Sequence, residues 1–118
     1  MNVRWNDDAE MIEIISESDN FFLHPDIDFK ADWNFAHNEL TRCDCAVPSI
    51  EQFISIFKFK DEINDLILEH HGKILNDNYY WTSERYNDKA KVSISMKNCY
   101  KIAYDIENKL NVRGIKII

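Results

Sequence analysis

The chain has 118 residues, 45% of them hydrophobic and 13% aromatic, which is enough to fill one core and too little for two. Fourteen Lys and Arg against 21 Asp and Glu leave a net charge of -7, a surface that repels phosphate backbones and anionic lipid heads and so argues against nucleic acid or a membrane surface as partner. No apolar run reaches the roughly twenty residues of a membrane-spanning helix, and a mean hydropathy of -0.46 predicts a soluble globular domain without membrane insertion.

The first thirty residues are the least regular. Apolar pieces at Met11-Ile12, Ile14-Ile15 and Phe21-Phe22-Leu23 are split by the polar run from Ser16 to Asn20, which predicts two short strands around a turn. Met1 to Glu10 holds no hydrophobic stretch fit for a signal peptide, so the chain as given reads as cytoplasmic or as exported within a processed protein, and the compartment stays open. Asp32 can cap a helix whose Trp33, Ala36 and Leu40 share one face, ending near Arg42. A second helix follows Pro48, because Ser49 and Gln52 have capping-box spacing and Ile50, Phe53, Ile54 and Phe57 form a stripe. A third is predicted from Asp61, with Ile63, Leu66, Ile67 and His70 on one face and Gly72 as a left-handed cap.

Beyond Gly72 the period falls to two. Ala90, Val92, Ile94 and Met96 alternate with polar residues, and after Asn98-Cys99 the alternation resumes at Tyr100, Ile102, Tyr104 and Ile106, which predicts a hairpin. Residues Tyr79 to Glu84 and Val112 to Ile118 supply two more strands. Helices followed by strands, without repeat or linker, predict one α+β domain over 1–118 with two to three helices on a small twisted antiparallel sheet. Trp33, the Pro48-initiated helix and Trp81 are expected to share a single interior.

Three stretches carry a likeness in order and spacing: Asp32-Trp33-Asn34-Phe35-Ala36; Val47-Pro48-Ser49-Ile50-Glu51-Gln52-Phe53; and Tyr80-Trp81-Thr82-Ser83 with Asn111-Val112-Arg113-Gly114-Ile115-Lys116. Together they resemble a bacterial family of domains of unknown function, also met as the C-terminal domain of a collagen-like adhesin, within the C-type-lectin-like superfamily. The resemblance runs from Asp32 to Ile118. It implies a C-type-lectin-like fold whose terminal strands pair and whose loop-rich half carries binding; the superfamily also includes formylglycine-generating enzymes. Cys45-Ala46-Val47 departs from the family's Trp-Arg-Leu, and two glycines are few for its loops. On physical grounds Trp33, Pro48, Ser49, Tyr80, Trp81 and Arg113 read as residues that specify the fold: a helix start, large apolar faces with polar handles, and a guanidinium for carbonyls or a carboxylate.

No catalytic set emerges, and no cofactor or metal is expected. Three cysteines give no disulfide framework, since Cys43 and Cys45 are too close to bridge easily. With His37 and Cys99 they offer soft ligands, but Cys-x-Cys spacing suits a tetrahedral site poorly. A thiol- or metal-dependent enzyme would need Cys43 or Cys45 to meet Cys99 in a cleft. His70-His71 fits the negative end of a helix better than catalysis, and Trp5-Asn6-Asp7 copies a lectin calcium motif at the wrong end of the chain. His24 and His37 lack a triad's other members.

The polar segments flanking Tyr80-Trp81 remain. Asp77, Asn78 and Tyr79 on one side and Arg85, Tyr86, Asn87 and Asp88 on the other set aromatics beside amides and carboxylates, as recognition surfaces do, although solvated turns read the same way. Glu84 and Asp88 are also an acid-base pair to consider. The expected function is non-catalytic recognition of a protein, glycan or small-molecule ligand. The alternatives are a thiol- or metal-dependent enzyme related to formylglycine-generating enzymes, and a structural role with a homo-oligomer formed through an exposed edge of the strand from Ala90 to Met96.

Overall fold

A computed structural model of the chain describes residues 2–16 and 19–118. Glu17 and Ser18, in the middle of the turn predicted after Ser16, lie outside the described residues. Among the described residues the order is β1 (Val3–Asn6), β2 (Met11–Ile15), β3 (Asn20–Ala31), α1 (Trp33–Arg42), α2 (Ile50–Lys58), α3 (Lys60–Glu69), β4 (Tyr79–Asn87), β5 (Ala90–Ser95), β6 (Lys101–Asp105) and β7 (Leu110–Ile117). The fold is α+β as expected, with three helices on one seven-stranded sheet. Three strands, not two, precede α1, because Val3 and Trp5 alternate with Arg4 and Asn6 in too short a run to stand out.

The helix signals act where the sequence put them. Asp32 Oδ1 accepts from Phe35 N at 2.8 Å, and Ser49 and Gln52 form both bonds of the capping box. The α2 stripe is rotated from the expected one: Phe53 and Ile56 are buried, whereas Ile54 is exposed. Gln52 is drawn inward by the box and by its amide bond to Asp19 Oδ2 at 2.8 Å, which turns that face toward the sheet. α3 starts at Lys60, one residue earlier than predicted.

Gly72 does not take the left-handed conformation; His71 does, at φ 61°. The N–H of Gly72 reaches Ile67 O at 2.9 Å and that of His71 reaches Leu68 O at 3.2 Å, the paired bonds of a Schellman ending. Asp44, at φ 58°, closes α1 with the same pair of bonds. Gly72 is needed for space: a Cβ there would stand 2.7 Å from Pro25 O.

The sheet order is β1-β2-β3-β7-β4-β5-β6. Two antiparallel meanders, β1 to β3 and β4 to β6, flank β7, which runs antiparallel to β3 but parallel to β4. The sheet is therefore mixed and not antiparallel throughout. Once the three helices return the chain with β4 opposed to β3, a strand inserted between them must run parallel to one of the two. The β4–β7 ladder is short, with Tyr80 opposite Asn111, because the segment before α2 is wedged beyond it. Ala46 exchanges bonds of 2.8 and 3.1 Å with Ile115 of β7, and Pro48 O accepts from Ser83 N of β4 at 2.9 Å.

That wedge carries the chain from one sheet face to the other. α1 packs on one face with Ala36, Leu40, Val47, Trp81 and Val112, and α2 and α3 cover the other with Phe53, Ile56, Ile63 and Ile67 over Phe21, Leu23, Ile94 and Ile115. The single interior expected for Trp33, α2 and Trp81 is thus divided. Trp33 and Trp81 share the α1 side and α2 lies on the opposite one, since adjacent residues of a strand face opposite ways: Tyr80 toward α2, Trp81 toward α1.

Candidate functional site

The sequence motifs meet first in the interior. Arg113 is 0% exposed, and its Nη1 donates to Asp28 Oδ2 at 2.9 Å while its Nη2 donates to Pro25 O at 3.0 Å. Asp28 and Arg113 are opposite residues of β3 and β7, and a register shift around Pro25 turns the proline carbonyl toward the guanidinium. Tyr80 Oη donates to the same carboxylate oxygen at 2.9 Å and accepts from Asn76 N at 3.1 Å. Burial, followed by the Asp28 charge and opposed by the Asn76 N–H, pushes the Tyr80 phenol far above its usual value. Burial likewise lowers the Arg113 pKa against the pull of Asp28 and Tyr80. Arg113 Nε has no hydrogen-bond partner. Asp28 Oδ2, Tyr80 Oη and the two Nη atoms of Arg113 are all tied to the scaffold, so the cluster locks β3, β4 and β7 together.

The remaining scaffold motifs behave alike. Trp81 is fully buried and donates from Nε1 to Ala31 O at 2.9 Å. Pro48 and Ser49 lead from the wedge into α2.

The seven candidate binding residues are not brought together. Asn78 and Arg85 are separated by the length of β4, roughly 20 Å at about 3.3 Å per residue. On the near side the polar groups are engaged internally. Lys60 Nζ donates to Asp77 Oδ1 at 2.7 Å and to Met96 O at 2.8 Å, and its ammonium holds the Asp77 carboxyl below its ordinary range. Tyr79 packs edge-on against Tyr104 with centroids 6.0 Å apart.

On the far side the β4–β5 hairpin projects as an exposed tip. Arg85 and Asp88 pair across the turn, which commits Asp88 to Arg85 and not to Glu84. Asn87 Oδ1 accepts from Lys89 N at 2.9 Å and shapes the turn. Tyr86 is 67% exposed. Register then links this tip to α1: Arg85 lies opposite Lys91, whose Nζ stands 4.0 Å from the centroid of the Trp33 ring. Trp33 stacks with His37, centroids 5.1 Å apart and planes within 7°, and its Nε1 donates to Thr82 O at 3.0 Å. Arg85, Lys91, Trp33 and His37 thus form one strip at the foot of the exposed hairpin tip that carries Tyr86.

Lys91 is not among the sequence candidates, and His37 enters there only as a metal ligand or triad member. Lys91 reads as the polar half of an alternating strand; only the convergence of the two on Trp33, from β5 and α1, singles them out as a surface. The cysteines are dispersed: Cys45 is buried on the α1 side, where burial and then Cys43 raise its pKa, and Cys99 packs on the α2 side. Among the described residues no group of three or more His, Cys, Asp or Glu could hold a metal ion. His70 stacks on Trp5 with centroids 3.6 Å apart, and Asn6 Oδ1 accepts from Ala9 N at 2.9 Å in the β1–β2 turn, so both apparent motifs serve local structure.

No helix among the described residues is long and apolar enough to cross a membrane. Neither the protein-family models nor the curated proteins contain a match to this chain.

Proposed function

We propose that the chain is a non-catalytic recognition domain that contacts a partner through the β4–β5 tip and the Trp33 strip beside it. The observation that carries this reading is the cross-strand Arg85–Lys91 pair, which joins the exposed hairpin tip carrying Tyr86 to a tryptophan braced by a cation and an imidazole. Rigid aromatics flanked by adaptable polar groups give contact area with little entropy lost on binding. Lys91, beside an Arg85 already paired with Asp88, puts a cation on the strip of a chain of net charge -7, which favours a carboxylate-bearing or π-rich partner, protein or glycan.

We further propose that the scaffold is C-type-lectin-like. The pairing of the last strand, β7, with β3 just before the first helix supports it, as does the set of motifs from Asp32 to Lys116 in their family order.

Screening on glycan and protein arrays, followed by Tyr86→Ala with Asn87→Ala, tests the function. Tyr86 is exposed and Asn87 gives up only its turn bond to Lys89 N, so stability should fall by no more than about 1 kcal/mol, while a hot-spot tyrosine should cost about 2 kcal/mol of binding, or roughly thirtyfold in Kd. Binding that survives the double substitution unchanged counts against this surface.

A further inference from the structure

We infer that the free edge of β6 pairs with the same edge of a second copy of the chain, forming a two-fold symmetric antiparallel dimer. Among the described residues β6 is the last strand of the sheet, whereas the strand from Ala90 to Met96, expected from sequence to offer the edge, lies between β4 and β6. Its ladder to β5 fixes which backbone groups are free. Ser95 N donates to Tyr100 O at 2.8 Å, Ile106 N donates to Lys89 O at 2.9 Å, and Ile102 and Tyr104 lie opposite Ser93 and Lys91. By the alternation of antiparallel ladders, Ile102 and Tyr104 turn their N–H and C=O groups toward β5, and Lys101, Ala103 and Asp105 turn theirs outward.

The sequence Lys101-Ile102-Ala103-Tyr104-Asp105 is self-complementary about Ala103. A two-fold axis there sets Ala103 opposite its own copy and Lys101 opposite Asp105 of the second copy. All of these are residues whose backbone groups face outward, as a hydrogen-bonded pair requires. Asp105 O already accepts from Asn108 N at 3.0 Å, so the ladder consists of the two Ala103 bonds and an Asp105 N–H to Lys101 O bond at each end. The Asp105 carboxylate accepts from Glu107 N through Oδ1 only, leaving Oδ2 for the opposing ammonium.

On the α1 face the same axis sets Ile102 against Tyr104, a β-branched residue against an aromatic at the closer spacing of a non-hydrogen-bonded pair. Ile102 is 42% exposed and Tyr100 beside it 66%, so both offer apolar surface to a second copy. Pairing shifted by two residues in either direction would set Lys101 or Asp105 against Ala103 and lose the ion pairs. The hairpin tip stays open in this dimer, so the pairing and the recognition surface stand or fall separately.

The test is sedimentation equilibrium of the full chain over the micromolar range, with far-UV circular dichroism as a folding control. The mass should rise with concentration from 14.1 kDa toward twice that value. Lys101→Asp and Asp105→Lys change the net charge in opposite directions, yet each sets like charges opposite at both ends and should weaken the dimer by about tenfold. The two together restore opposite charges and should restore the dimer. A monomer at every concentration overturns the inference, as does a dimer indifferent to the single reversals or one that the double exchange fails to rescue.

Discussion

Asp28→Ala removes the acceptor shared by Arg113 and Tyr80, and it should be among the most damaging single substitutions in the chain. Truncation leaves a guanidinium that is 0% exposed without its counter-charge, and breaking a buried pair from one side costs about 3–5 kcal/mol. The Asp28 side chain is 10% exposed, so some water can reach the vacated position and the ion-pair part falls at the lower end. Loss of the Tyr80 hydrogen bond adds about 1 kcal/mol. The sum, about 4 kcal/mol, corresponds to a Tm lowered by roughly 15 °C in a domain of this size, read by calorimetry or thermal circular dichroism. Asp28→Ala combined with Arg113→Met should cost less than Asp28→Ala alone, because the second substitution removes the stranded charge. A loss under about 1 kcal/mol, or a double substitution whose cost is the sum of the singles, would refute a buried cluster that acts as a unit.

Three further outcomes follow from the same geometry. Because burial raises the folded-state pKa of Tyr80 above its unfolded value of 10.0, the contribution of Tyr80 to stability should be fully present below that pH and be lost as pH rises above it, and Tyr80→Phe should flatten the alkaline limb of Tm against pH. His24 is shifted the other way: burial lowers its pKa below 6.5, and its unprotonated Nδ1 accepts from Asp26 N at 3.1 Å. Stability should therefore be lost as pH falls below 6.5, and His24→Asn should remove that component of the acid limb. Finally, Gly72→Ala should destabilise by about 1–3 kcal/mol through the clash with Pro25 O, while His71→Gly should be neutral or stabilising by up to about 1 kcal/mol because it relieves a left-handed residue; denaturant midpoints of the two variants decide it.

Local signals were legible wherever one residue's chemistry sufficed. The Asp32 and Ser49 caps, the end of α1 at Arg42 and the strands around Asn98-Cys99 all follow from capping oxygens and from a period of two. What the sequence concealed depends on partners distant in the chain. The parallel β4–β7 pair follows from where three helices return the chain, and the wedge of Ala46 and Pro48 from a gap between strands. Gly72 resembled a conformational cap because glycine there satisfies two demands in sequence; only the position of Pro25 shows that space is the operative one. The candidate residues divided for a similar reason: Asp77 to Tyr79 and Arg85 to Asp88 flank one motif in sequence, but a strand holds its ends apart. Lys91, which joins one of these groups to Trp33, carries no signal until β5 is placed beside β4.

The recognition surface is tested most directly by N–H chemical-shift mapping during titration with a binder taken from the arrays. Perturbations should concentrate on the amides from Arg85 to Lys91 and on the Trp33 indole N–H. Perturbations confined to α2, α3 or the β1–β2 hairpin, with the Trp33 indole signal unmoved, would contradict the proposed surface.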